Sequence, residues 1–136
     1  MGKTKLYILF LFFGLGFQQF YGQVYKFKTS GLSVLEKNDR GKWGNWSDLK
    51  LVNVLVSLDT DKNRMIVYSE VIQLFEIIVY QPTEENDTDI VYSFTCKDNN
   101  GDDCTLSIIT RKNQDNRKQL YINYNDRIIV YNIINL

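Results

Sequence analysis

Short apolar runs alternate with short polar breaks along this chain, and the pattern is densest between residues 47 and 81. Two apolar runs flank Asp59-Thr60-Asp61-Lys62-Asn63, and the second continues through Ser69-Glu70 into a third. β-Branched and aromatic residues dominate them, with no Gly or Pro inside. This predicts consecutive strands joined by tight turns. In residues 49–58, Val52, Val54, Val56 and Leu58 share one face, opposite Leu51, Asn53, Leu55 and Ser57. Residues 64–69 and 71–81 are the next two strands, and Pro82, which cannot donate to a ladder, fits the exit of the latter.

The rest of the chain repeats the theme. Residues 24–29 (VYKFKT) set Tyr25, Phe27 and Thr29 against Val24, Lys26 and Lys28, as in a half-solvated strand. Ser30-Gly31 is a break or a bulge, after which Leu32 and Val34 resume an extended pattern. Residues 90–96 alternate most clearly, with Ile90, Tyr92, Phe94 and Cys96 on one face; Cys104, Leu106, Ile108 and Thr110 answer them. Residues 111–118 (RKNQDNRK) read as a charged loop. Residues 119–124 and 127–134 form a last hairpin around Asn125-Asp126, residue types that tolerate the positive φ of two-residue turns. Eight or nine short strands and no helix argue for an all-β fold, an antiparallel up-and-down meander. Such a meander closes into a small barrel or folds over as a sandwich. Because several strands are apolar on both faces, a barrel or strongly curved sheet is expected.

Residues 1–22 stand apart. A basic start (Lys3, Lys5), an uncharged apolar stretch from Leu6 to Phe17 and a more polar end at Gly22 compose a secretory signal peptide, too short for a membrane span of about 20 residues. Cleavage after Gly22 leaves residues 23–136 as one all-β domain, secreted or periplasmic. Losing Lys3 and Lys5 takes the formal charge from 0 to −2, which leaves no electrostatic footprint for nucleic acid or an anionic membrane.

Chemistry enters at few places. If the hairpin of residues 90–111 pairs positions summing to 200, Cys96 opposes Cys104 and Phe94 opposes Leu106. In an oxidising compartment this predicts a Cys96–Cys104 disulfide closing the loop KDNNGDD. No metal or other cofactor is expected. The run from Asp98 to Asp103 lacks the acidic twelfth residue of a calcium loop; the run from Asp59 has Glu70 there but Arg64 where Gly is needed; Glu84-Glu85-Asn86-Asp87 reads as a solvated loop. Histidine is absent, which removes the Ser-His-Asp and Cys-His systems and His-ligated zinc. What remains for catalysis is carboxylates, of which Glu70 and Glu76 stand among apolar neighbours. The principal expectation is a non-enzymatic binding or interaction module for an unidentified small molecule, glycan or protein. The alternative is a carboxylate-dependent enzyme acting on glycans.

Trp43 and Trp46 are the candidate ligand-binding residues. Two indoles in the polar connection of residues 37–48 can form a stacking platform, or can plug the end of a barrel. Gly41-Lys42-Trp43 resembles the G-x-W start of lipocalins and the similar start of avidin-like barrels, in which the Trp closes one end of an eight-stranded meander around a ligand. That resemblance implies Trp43 as the plug and Trp46 nearer the surface. The wider pattern is W-x-x-W, C-x-D-x-x-G-x-x-C from Cys96 to Cys104, Gln119-Leu120-Tyr121 and Tyr131-Asn132. It is similar to a recurrent group of small exported bacterial proteins and spans nearly all of residues 23–136. It implies fold and export, and no activity.

Mass analysis of the exported protein should find its N-terminus at Gln23 or within two residues of it. Intact Met1 in the mature pool would contradict the signal-peptide reading.

Overall fold

The computed structural model describes residues 23–136; the expected leader, residues 1–22, lies outside them. Among the described residues, nine strands follow in chain order: β1 (Val24–Glu36), β2 (Leu55–Asp59), β3 (Arg64–Val67), β4 (Gln73–Tyr80), β5 (Glu84–Glu85), β6 (Asp89–Asp98), β7 (Asp103–Arg111), β8 (Arg117–Asn123) and β9 (Arg127–Asn135). Each pairs antiparallel with its sequence neighbours, except that β4 passes over β5 to reach β6. The first strand pairs with the last, so β1-β2-β3-β4-β6-β7-β8-β9 is a closed ring of eight. This is the expected meander, and of the two forms left open it is the barrel.

Strand parity explains the core. On β2, Val56 and Leu58 point inward; on β3, Met65 and Val67; on β6, Phe94 and Cys96; on β7, Cys104, Leu106 and Ile108. Register places apolar beside apolar around the ring: Phe27 by Val56, Met65 by Phe75, Phe94 by Leu106, Leu106 by Ile122, Leu120 by Tyr131. Phe75, Met65, Leu106 and Leu120 are wholly buried. Each such side chain contributes about 1.5–3 kcal/mol of transfer free energy, and closure buries them without leaving sheet edges along the ring.

The stretch expected to be one strand over residues 49–58 is regular only from Leu55. The cause lies in β1. A bulge falls between Thr29 and Gly31, as the Ser30-Gly31 break suggests, and throws the facing backbone out of register. The Thr29 side chain, 2% exposed, fills the gap. Its hydroxyl donates to Val52 O at 2.6 Å and accepts from Val54 N–H at 2.9 Å. Residues 43–54 therefore run back along β1 as an irregular continuation of β2, held by backbone bonds between Leu32 and Lys50 and between Ser47 and Val34. Val52 and Val54 still pack on the core, as their parity requires.

Asn63, Asp115 and Asn116 adopt positive φ, and Gly101 (φ 85°) lets the β6–β7 loop close. Asn125-Asp126 does not use positive φ, contrary to expectation; Tyr124 N–H bonds to Arg127 O at 2.8 Å, and Asp126 O is taken by Lys37 N–H.

The Cys96–Cys104 register is as expected, but the cross-link is not formed: both cysteines are free and buried. Cys96 Sγ is turned along its own strand, donating to Phe94 O at 3.6 Å. Burial, reinforced by Cys104, pushes the Cys96 thiol up to about 12. Burial, then Asp98 and Asp103, pushes Cys104 to about 11.

Three predictions follow from these buried polar groups. Thr29→Val strands the Val52 carbonyl and the Val54 N–H, and should cost about 1–3 kcal/mol in urea unfolding. A variant as stable as the parent would show that the hydroxyl bridges nothing. For the thiols, the folded state binds its protons more tightly than the unfolded chain. Their contribution is thus complete below pH 9 and lost as pH rises toward 11–12. Stability should fall over that window, and less steeply in a Cys96→Ala/Cys104→Ala variant. A thiol-specific disulfide reagent should modify neither cysteine in the native protein and both after unfolding without reductant. Missing thiols after unfolding would mean that the pair is oxidised.

Candidate functional site

One end of the barrel is open. There the inward rows stop short of meeting, leaving a cavity of about 380 Å³. Its floor is core: Phe27 from β1, Leu58 from β2, Phe94 from β6 and Ile108 from β7. β1 and β6 stand four places apart in the ring of eight, so Phe27 and Phe94 come from opposite walls. One inward step toward solvent, the same two strands supply Tyr25 and Tyr92. Burial raises the Tyr25 hydroxyl above its ordinary pKa, with the nearby Tyr92 adding to it.

The third side of the mouth is polar. Thr110 ends the inward row of β7 and is 4% exposed. Its register partner on β8 is Lys118, which shares inward parity with Leu120 and Ile122. Lys118 Nζ donates to Thr110 Oγ1 at 3.0 Å. Gln23 and Asn135 form the lip. Gln23 is held there because its carbonyl accepts from Thr60 N–H and from Thr60 Oγ1.

The opposite end is closed. Gln73 on β4 reaches across the ring to β9, donating to Tyr131 Oη at 3.2 Å, and also donates to Ser69 Oγ. Beside it, Tyr124 Oη donates to Asp98 Oδ2 at 2.7 Å, and the Arg127 guanidinium lies 3.9 Å from the Tyr124 ring centre. Burial alone would raise the Asp98 carboxyl. The bonds from Tyr124 and from the N–H groups of Asp102 and Asn100, with the Arg127 charge, hold it below its ordinary value.

The indoles are elsewhere. Trp43 is 45% exposed and Trp46 47%, both in the irregular segment outside β1. Trp43 pairs with Lys37, whose Nζ sits 5.0 Å from its ring centre. Neither lines the cavity, which opens at the other end of β1. The expected division into plug and surface indole is therefore corrected: both are equally exposed, and the Gln73–Tyr131 bond occupies the place the plug would take. The segment carrying Trp43 is tied to the end of β1 by the Gly44 N–H bond to Glu36 O and by the Lys37–Trp43 bridge.

Glu70 and Glu76 are also outside. Glu70 lies exposed in the β3–β4 connection; Glu76 is exposed on β4 between its cross-strand neighbours Arg64 and Lys97. Asp59 accepts from the N–H groups of Asp61 and Lys62, so that turn binds itself.

Sequence reasoning placed Tyr25 and Phe27 on one face of their strand and set Tyr92 opposite Ile108, with Phe94 and Thr110 on the same faces of that hairpin, without bringing the two groups together. It missed Lys118, assigned to a charged loop. The available signal was parity, since two steps back from Leu120 is Lys118. Comparison with protein-family models, with curated proteins and with solved structures found no match.

Proposed function

We propose that this protein is an exported, non-catalytic binding module that takes a small, largely apolar molecule into the open mouth of its barrel. The observation that carries the reading is the mouth cavity: aromatic and aliphatic side chains on the floor, with a few convergent polar groups above. That is the composition of ligand pockets in general, and its volume lies within their usual range of about 300–1,000 Å³. At about 30 Å³ per water, it has room for roughly a dozen waters, and so for a ligand of about a dozen non-hydrogen atoms. Displacing water from such a floor is favourable by about 25 cal/mol per Å² of apolar surface covered. Export is part of the proposal, because cleavage after Gly22 would leave Gln23, already at the lip, as the first residue.

Decanol, added below its solubility limit, should bind the protein with a 1:1 stoichiometry in calorimetry and raise its Tm. Ile108→Phe, which puts a ring where the ligand would lie, should abolish both effects while the variant stays folded by circular dichroism. No binding to the parent protein, or undiminished binding to the folded variant, would contradict the mouth as the site.

A further inference from the structure

The inward row of β8 is apolar except at its start. Leu120 and Ile122 are wholly buried on that row, and Lys118 occupies the same face one inward step toward the mouth. Its neighbour on β9 is Ile133, also inward and buried, so the lysine stem runs along apolar surface toward the cavity. Among the described residues, Lys118 is the only charged side chain lining the cavity, and no carboxylate lines it. Two acidic groups toward this end are committed elsewhere. Asp89 pairs with Arg111 and Glu85 with Lys112, outside the ring. Lys118 makes no ion pair among the described residues; its hydrogen bond goes to Thr110, whose hydroxyl oxygen accepts and whose proton is left to donate toward the cavity.

A positive charge facing a largely apolar hollow is costly without an anion or water beside it. A bound anion placed at Lys118 would receive the ammonium charge and the Thr110 hydroxyl together, a charge-assisted arrangement stronger than neutral hydrogen bonds. From there an apolar body would extend over Ile108 toward Phe27, Leu58 and Phe94. We propose that the mouth selects small amphiphiles with a single anionic head, the head held by Lys118 and Thr110 and the apolar part lying on the aromatic floor. This rests on the mouth being a ligand pocket, and adds to it the class of ligand.

The test compares three probes of equal chain length, decanoate, decanol and decyltrimethylammonium, by calorimetry at low ionic strength on the exported protein. Decanoate should bind at least tenfold tighter than decanol, and the cation weaker than either; a charge-assisted hydrogen bond supplies a factor of that order. In Lys118→Met, decanoate should lose most of its advantage over decanol, the α-ammonium of Gln23 at the lip being common to both proteins, while decanol is unchanged. Lys118→Arg should keep most of the preference and shows that a folded protein with the charge retained behaves like the parent. Added salt should shrink the acid's advantage and leave decanol alone. Equal binding of acid and alcohol by the parent, or a preference undiminished in Lys118→Met, would overturn the anionic-head proposal while leaving the pocket intact. Failure of all three probes to bind would remove the pocket reading itself, and this proposal with it.

Discussion

The ladder between the first and last strands holds the rest of the structure in place. β1 is the longest strand, at 13 residues, and must serve two partners at once: β9 along nearly its whole length, and β2 with its irregular forerunner on the other side. An eight-stranded ring can close only if the strands tilt and the register staggers. The Thr29–Gly31 bulge supplies part of that bend in β1, and the Thr29 hydroxyl repairs the hydrogen bonding the bulge disrupts. Closure then turns eight half-apolar strands into one dry interior. The second joint, β4 on β6, is shorter and also bulged, between Ile77 and Val79; Ile78 and Val79 are exposed there, and Tyr80, paired with Phe94, packs its ring edge-on against the Phe94 ring.

The open mouth follows from how the inward rows end. At the far end, long polar side chains reach across the lumen, Gln73 to Tyr131 and Tyr124 to Asp98, and satisfy one another. At the near end, the large rings of Tyr25 and Tyr92 stand on opposite walls above Phe27 and Phe94, and the remaining wall carries Thr110 and Lys118. A fold of this kind does not dictate a function. The functional argument rests on this set of side chains: an apolar floor, two phenols and one cation, positioned by strands rather than loops.

Much of this architecture was legible because a strand's side-chain period of two is a strict constraint. The alternation of Tyr92-Phe94-Cys96 against Cys104-Leu106-Ile108 gives the β6–β7 register as observed, and Val52-Val54-Val56-Leu58 gives the inner face even where the strand is irregular. What was not legible depends on three-dimensional detail. The loss of regularity before Leu55 comes from a bulge in a different strand. The free thiols depend on which way the Cys96 sulfur turns about its own strand, which register alone does not specify. The exposure of Trp43 depends on the connection leaving the barrel at Glu36, whereas a Gly-Lys-Trp triplet suggests entry into it. Lys118 was obscured by composition: a charged run looks like a loop, and only its parity with Leu120 reveals the inward position.

The central claim is that the working surface is the mouth at Tyr25, Tyr92, Thr110 and Lys118, and not the indole pair. Amide chemical-shift mapping on titration with decanoate tests this most directly. The account predicts saturable shifts concentrated on Tyr25, Phe27, Tyr92, Ile108, Thr110 and Lys118, with Trp43, Trp46 and their neighbours unmoved. Shifts centred on residues 43–46, with the mouth silent, would contradict it.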